Sequence, residues 1–373
     1  MTIKSKNTAE TGTPSAGTGA GPVDTEAPSA ETRTGSADIR TPSAQTMKAA
    51  RMHAYGAAEV IRHEDAPRPR PAAGEVLVRV AATSFNPTEA ALRQGLLRSF
   101  LPVELPYTPG WDVAGTVAEL GADVSDLAVG DRVVGRVDGA GGAAEYVRAP
   151  AAVLVPAPAT VPLAHAAALP VAGLTAWQAV FEHGKVSAGQ RVLVNGAGGG
   201  VGGLVTQLAK HAGASVVATA GPRSAAAVRT QGADEVIDYT VTPVAKALTG
   251  TVDTLLNLVP LDPGEVAALV SLVRPGGRIV SIATPIDVAM PIDIAASGDS
   301  SPSGAAAPDV TSLHMVARND PTDLSALIAL VDAGKVAVDV SATYPLSRLA
   351  EVHRLGETGR IRGKVLVIPD AAQ

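Results

Sequence analysis

The sequence predicts an α/β chain in which a β-rich, barrel-like region precedes a doubly wound parallel sheet, and three features carry that reading. From Met47 onward, short apolar runs such as Glu75-Val76-Leu77-Val78-Arg79-Val80 are separated by turn signals at Gly110, Gly121, Gly130-Asp131 and 139–142. Several short strands at that spacing make an irregular β domain. After about Gly173 the texture changes. Apolar runs at 192–194, 215–218, 235–237, 254–258 and 278–282 alternate with helical spacing, as in a parallel sheet covered on both faces. The third feature is a run of glycines wedged between the first of those strands and the helix after it. A last strand is expected at 364–368.

The glycine run lies in "VLVNGAGGGVGGLVTQLAKHAGASVVATAG" (192–221), a strand, turn, helix and strand in succession. Glycines let the backbone turn tightly and approach a pyrophosphate, whose charge sits at the helix N-terminus. The helix is marked by Leu204, Val205, Leu208 and Ala209. A single glycine fingerprint is weak, but here the flanking strand and helix are both present. An NAD site of this type carries Asp or Glu about 20 residues later, on the ribose 2′-hydroxyl. This chain instead ends its second strand on Thr219-Ala220-Gly221 and continues with Pro222-Arg223-Ser224. A guanidinium and a hydroxyl suit a 2′-phosphate. NADPH is therefore the expected cofactor.

At 373 residues the chain can form about two domains, each with its own core. Its hydrophobic content of 46% is that of a globular protein, and no apolar stretch is long enough to span a bilayer. The net charge of −6 argues against a nucleic-acid partner, which calls for a basic surface. The absence of cysteine removes disulfides and thiolate metal sites. His63, His165, His183 and the other histidines lack ligand spacing, so no metal site is expected. The polar start MTIKSKN has no secretory signal pattern, which predicts a cytoplasmic protein. Residues 1–46 are mostly Thr, Ser, Ala, Gly and Pro, with "TPSA" at both Thr13 and Thr41, and read as a disordered low-complexity tail.

The motifs also have a familiar order. "SFNPTEAALRQG" at Ser84, "PGWDVAGTVAELGADVSDLAVGDRV" at Pro109 and "GGAAEYVRAP" at Gly141 are followed by "LPVAGLTAWQAVF" at Leu169 and "VLVNGAGGGVG" at Val192. Then come "GADEVIDYT" at Gly232, "RPGGRIVSI" at Arg274 and "GRIRGKVLV" at Gly359. In this order the chain resembles the zinc-free quinone oxidoreductase, or ζ-crystallin-like, branch of the medium-chain dehydrogenase/reductase superfamily. The resemblance implies a GroES-like catalytic domain at 47–172, a Rossmann NADP-binding domain at 173–312 and a C-terminal segment at 313–373 returning to the first domain. It also implies a homodimer.

Carried over by position, Ala197, Gly198, Gly199, Gly200, Val201 and Gly202 would cradle the pyrophosphate. Arg223 and Ser224 would take the 2′-phosphate, with Tyr239 alongside or simply in a surface turn. Asn86 would hold the nicotinamide or the substrate oxygen. Thr175 would stand near the nicotinamide or cap its own helix. Leu258, Val259, Ala283 and Thr284 would line the ribose and carboxamide side, and Lys364 would lie near the phosphates.

Departures from the pattern narrow the chemistry. Zinc-dependent relatives carry Gly-His-Glu where this chain has Gly110-Trp111-Asp112, and Asp112 reads as a hydrogen-bonded structural residue of a strand or as a catalytic acid. Tyrosines found in some quinone reductases are replaced by Ala91 and Leu97, leaving no evident proton donor. The expected activity is metal-free hydride transfer from NADPH to a quinone or conjugated enone, within aliphatic walls, because Phe and Trp are scarce. Two alternatives stay open: a biosynthetic enoyl or enone reductase, and a non-catalytic NADPH-binding protein. Residues 286–294 are expected to add an edge strand near the dimer interface, followed by a mobile 297–307 loop.

Overall fold

Strand β1 (Thr46–Met52) pairs antiparallel with β2 (Ile61–Pro67). The next strand, β3 (Glu75–Ser84), takes a central place because Val76, Leu77, Val78 and Ala82 are all fully buried. Helix α1 (Pro87–Gln94) opens on a proline, whose missing N–H costs nothing at the first helical turn. It closes on Gly95 at φ 84°, a left-handed C-terminal position that glycine fills without strain. Strands β4 (Asp112–Leu120), β5 (Arg132–Arg136), β6 (Tyr146–Pro150) and β7 (Leu154–Pro156) complete this half. The computed structural model describes residues 45–286, 288 and 309–370.

Helices α2 (Leu163–Ala166) and α3 (Pro170–Trp177) lead into the second half. There β8 (Arg191–Asn195), α4 (Gly200–His211), β9 (Ser215–Thr219), α5 (Ala225–Thr230) and β10 (Glu235–Ile237) alternate strictly. The alternation continues through α6 (Val244–Ala247), β11 (Val252–Asn257), α7 (Pro263–Val270) and β12 (Val273–Ser281), and β13 (Thr311–His314) is the next described element. Helix α7 starts on a capping box, with Asp262 accepting from the Glu265 N–H and Glu265 accepting from the Asp262 N–H. Helix α8 (Pro321–Asp332), β14 (Val340–Pro345), α9 (Leu349–Glu357) and β15 (Lys364–Ile368) bring the chain back.

The parallel sheet runs β10-β9-β8-β11-β12-β13. Its direction of growth reverses between β8 and β11, where α/β sheets open a ligand crevice at their carboxyl ends. The other sheet runs β14-β15-β3-β4-β5-β7, with β6 also on β3. The C-terminal strands thus join the first half, β15 lying antiparallel to β3. One apolar cluster spans both halves, from Ala82 and Ala114 through Leu169 and Leu174 to Val192, Val194 and Leu366. The fold is α/β, with a GroES-like β region and a Rossmann-type sheet.

Three expectations meet the structure differently. Strand β1 begins at Thr46, and Gln45 accepts from the Arg68 N–H at 2.8 Å, so folded chain starts ahead of Met47. The tail through residue 44 lies outside the described residues, as do the 297–307 loop and nearly all of the 286–294 strand. On that edge β12 pairs with β13, which straddles the expected 312/313 boundary. Among the described residues no helix is long and apolar enough to cross a membrane.

Strands β3 and β4 approach so closely at Gly115 that an added Cβ would collide with the Arg79 carbonyl and the Val78 side chain. Gly115→Ala is expected to lower stability by roughly 1–3 kcal/mol, the cost of overpacking a rigid interior. Urea unfolding at neutral pH measures it; an unchanged midpoint would show that the strands can part.

Candidate active site

A ladder of polar side chains crosses the carboxyl end of the parallel sheet. Thr219 Oγ1 donates to Asn195 Oδ1 (2.9 Å), Asn195 Nδ2 to Asn257 Oδ1 (2.9 Å), and Asn257 Nδ2 to Ser281 Oγ (2.9 Å). Ser281 Oγ donates onward to the Thr284 carbonyl at 2.6 Å. Each residue closes an apolar strand, β8, β9, β11 or β12, so the ladder fixes the loops that leave them. Thr219 Oγ1 also accepts from the Gly196 N–H at 2.8 Å, which sets the start of the glycine turn. Sequence reasoning missed the ladder, although a polar residue ending each apolar run was its visible signal.

The turn itself is a cradle built for backbone. A Cβ on Gly196 would lie 2.6 Å from Val259, and one on Gly200 would lie 2.5 Å from the Lys364 stem. A Cβ on Gly198 would strike Ser224, and one on Gly202 would strike the turn itself. Helix α4 then follows Gly199, an N-terminal cap position with no side-chain cap, leaving its first N–H groups for a ligand. The C-terminal segment closes over this turn, where Gly363 N–H donates to the Gly198 carbonyl at 3.1 Å. These residues fit a dinucleotide pyrophosphate: narrow, backbone-lined and anion-seeking.

The expected site residues divide into two groups around that cradle. Ala197, Gly198, Gly199, Gly200, Val201 and Gly202 form the turn, and Leu258 and Val259 face it, the Leu258 N–H donating to the Asn195 carbonyl at 3.0 Å. Ala283 and Thr284 follow β12, and Thr284 Oγ1 accepts from the Leu261 N–H at 2.9 Å. Ser224 packs on Gly198, while Tyr239, 57% exposed, stands with its hydroxyl beside Gly221. Arg223 is exposed and donates from Nη2 to the Gly359 carbonyl at 2.9 Å. Thr175 lies inside α3 and donates Oγ1–H back to the Val171 carbonyl at 2.7 Å, so it does not cap the helix.

Asn86 and Lys364 depart furthest from expectation. The Lys364 stem covers Gly200, but its ammonium turns away from the α4 N-terminus and donates to Asn86 Oδ1 (2.8 Å) and the Phe85 carbonyl (3.1 Å). Asn86 Nδ2 in turn donates to Asp112 Oδ2 at 2.9 Å. Both ends of the Asn86 amide are therefore engaged by protein, and Asn86 positions its neighbours rather than presenting a free amide. Asp112 is fully buried and accepts from Ser84 Oγ, the Val171 N–H (2.7 Å) and Lys364 Nζ (3.4 Å). It is a hydrogen-bonded structural carboxylate on β4.

Two buried titratable groups support this cluster. Glu89, on α1, accepts from the N–H groups of Trp111 (2.8 Å) and Gly110 (3.2 Å) and so holds the turn that delivers Asp112. Burial, reinforced by the nearby Asp112 charge, pushes the Glu89 carboxyl up to about 7. His353, on α9, meets the Phe85 ring edge-on at 5.1 Å and accepts from Arg93 Nε at 3.4 Å. Burial first, and the Arg93 charge second, hold the imidazole down to about 3. Arg93 also pairs with Glu357, locking α1 to α9 behind Asn86. Among the described residues no group of His, Asp and Glu is placed to hold a metal ion.

Residues 72–159 match the family described as "Alcohol dehydrogenase GroES-like domain", and residues 231–367 match "Zinc-binding dehydrogenase". A chloroplast envelope quinone oxidoreductase homolog of Arabidopsis thaliana is 34% identical over 338 residues, covering 87% of this chain and 98% of that protein. The chain belongs to the quinone oxidoreductase family of medium-chain dehydrogenases/reductases. A second Arabidopsis thaliana relative, an NADPH-dependent alkenal/one oxidoreductase, is 32% identical over 87% of this chain and 80% of its own length. Among solved structures, the quinone oxidoreductase from Coxiella burnetii superposes with a TM-score of 0.76 at 29% identity. That match covers 87% of this chain and all of the other.

The Glu89 carboxyl makes a pH prediction. A carboxyl raised in the folded state binds its proton there more tightly than in the unfolded chain, so it favours folding at low pH. That contribution is lost as pH rises from the ordinary 4.5 through about 7. Glu89→Gln keeps an acceptor oxygen for both N–H groups and cannot ionise. Its melting temperature is expected to gain on the wild type between pH 5 and pH 8. A constant difference across that range would show that Glu89 titrates normally.

Proposed function

We propose that this chain is an NADPH-dependent reductase that passes hydride to a quinone or a conjugated enone, with no metal in the reaction. The observation that carries the reading is the glycine cradle at the α4 N-terminus, closed by Gly363 and flanked by Ser224 and Arg223. The activities named for the relatives, quinone and alkenal/one reduction, supply the acceptor class. When bound, the reduced nicotinamide supplies the hydride, and the protein supplies position and exclusion of water.

Residues 197–202 and the free N–H groups of α4 hold the pyrophosphate. Ser224 and the Arg223 fork hold the 2′-phosphate, since one bond to the Gly359 carbonyl leaves further guanidinium donors. Leu258, Val259, Ala283 and Thr284 border the ribose and carboxamide at the end of the polar ladder. Asn86, Asp112 and Lys364 form the rigid floor between the two halves. In this reading 47–172 is the catalytic domain, 173–312 the cofactor domain and 313–373 the returning segment. A homodimer belongs to the same proposal, resting on the family resemblance.

Titration of NADPH and NADH against wild type and Arg223→Ala tests the cofactor assignment. The variant is expected to lose about 1–3 kcal/mol of NADPH affinity, the range for a charge-assisted hydrogen bond, with NADH unchanged. Equal losses for both cofactors would remove Arg223 from the 2′-phosphate site.

A further inference from the structure

Beside the polar cluster stands a hydroxyl whose own proton reaches no acceptor among the described residues. Tyr107 Oη accepts from Trp111 Nε1 at 3.2 Å. Both residues are held by their backbones. Tyr107 exchanges N–H···O bonds with Met52 (2.9 and 2.8 Å), and the Trp111 N–H is bonded to Glu89. Around the pair lie Tyr55, Leu97, Val103 and Val171, half-buried in one apolar cluster. Val171 joins this cluster to the polar one, because its N–H donates to Asp112. In the same segment as Tyr107, Leu96, Phe100 and Leu101 are 69%, 87% and 40% exposed, an apolar rim in a chain with only three Phe.

We propose that the Tyr107 hydroxyl, aimed by Trp111, donates a hydrogen bond to the carbonyl oxygen of a hydrophobic quinone or enone seated against this apolar cluster. The proposal rests on the reductase reading above and adds the group that receives the substrate oxygen. Burial raises the Tyr107 phenol above its ordinary range, which favours the neutral, donating form. A fixed donor in apolar surroundings stabilises an oxygen as it takes on negative charge. Tyr107 thereby fills the gap left by Ala91 and Leu97. Trp111, Tyr55 and Tyr107 bring three aromatic rings to this cluster, where the composition predicts aliphatic walls.

Steady-state rates with NADPH and either 1,4-naphthoquinone or cyclohex-2-enone test this on the full chain. Tyr107→Phe is expected to lower kcat/KM about tenfold or more with both acceptors, with NADPH affinity and melting temperature unchanged. Trp111→Phe, which keeps the hydroxyl but not its aim, should lose less. A second readout needs no turnover. In a Trp177→Phe background Trp111 is the single remaining tryptophan of two, and saturable quenching by 1,4-naphthoquinone reports binding. Adding Tyr107→Phe should weaken that binding several-fold. Wild-type rates and unchanged quinone affinity in Tyr107→Phe would overturn the proposal. A wild type inert toward both acceptors would instead overturn the reductase reading, and the quenching titration would still decide for or against Tyr107.

Discussion

Lys364 and Asp112 meet at 3.4 Å with 6% and 0% of their side chains exposed, and the cleft is arranged to keep that pair satisfied. Taking each ion out of water costs several kcal/mol, which their attraction offsets only when the remaining donors and acceptors are also bonded. Here they are. The carboxylate receives Ser84, Asn86 and the Val171 N–H, and the ammonium is shared among Asp112, Asn86 and the Phe85 carbonyl. Those partners come from the end of β3, the entry to α1, the start of β4, the first turn of α3 and β15. Satisfying one ion pair therefore brings five segments to one point, which is why the C-terminal strand must return to the first sheet.

The same pair sets the geometry of the glycine turn. Holding the Lys364 ammonium on Asn86 lays its stem over Gly200, where a side chain larger than hydrogen would not fit. The glycine turn is thus shaped from two directions, by Lys364 above and by the polar ladder from Thr219 to Ser281 below. On the other side of Asp112, Tyr107 and Trp111 stand in an apolar cluster, with exposed Leu96, Phe100 and Leu101 in the same segment.

The parallel sheet was legible because its strands are apolar runs of Val, Leu and Ile bounded by glycine, and β9 and β10 fall where those runs predicted them. The glycine turn was legible for the same reason, since strand and helix flank it in sequence. Of the two readings open for Asp112 in sequence, its hydrogen bonds to Ser84, Asn86, Val171 and Lys364 favour the structural one. The orientation of Asn86 and Lys364 was not legible, because it depends on a contact between positions 278 residues apart. Glu89 looks in sequence like an ordinary acid in a first helical turn, and only the fold shows that it is buried beneath Trp111. His353 gives no sequence signal either, since its burial comes from α9 packing on Phe85.

A double-mutant cycle on the buried pair tests this account most directly. Asp112→Asn, Lys364→Met and the double variant would be unfolded in urea at pH 7. Each single variant leaves one buried charge without its partner and is expected to cost about 3–5 kcal/mol. The double variant should cost well below the sum, with a coupling of at least about 1 kcal/mol. Strictly additive losses would contradict the account, because they would mean that the cleft does not depend on Lys364 and Asp112 meeting.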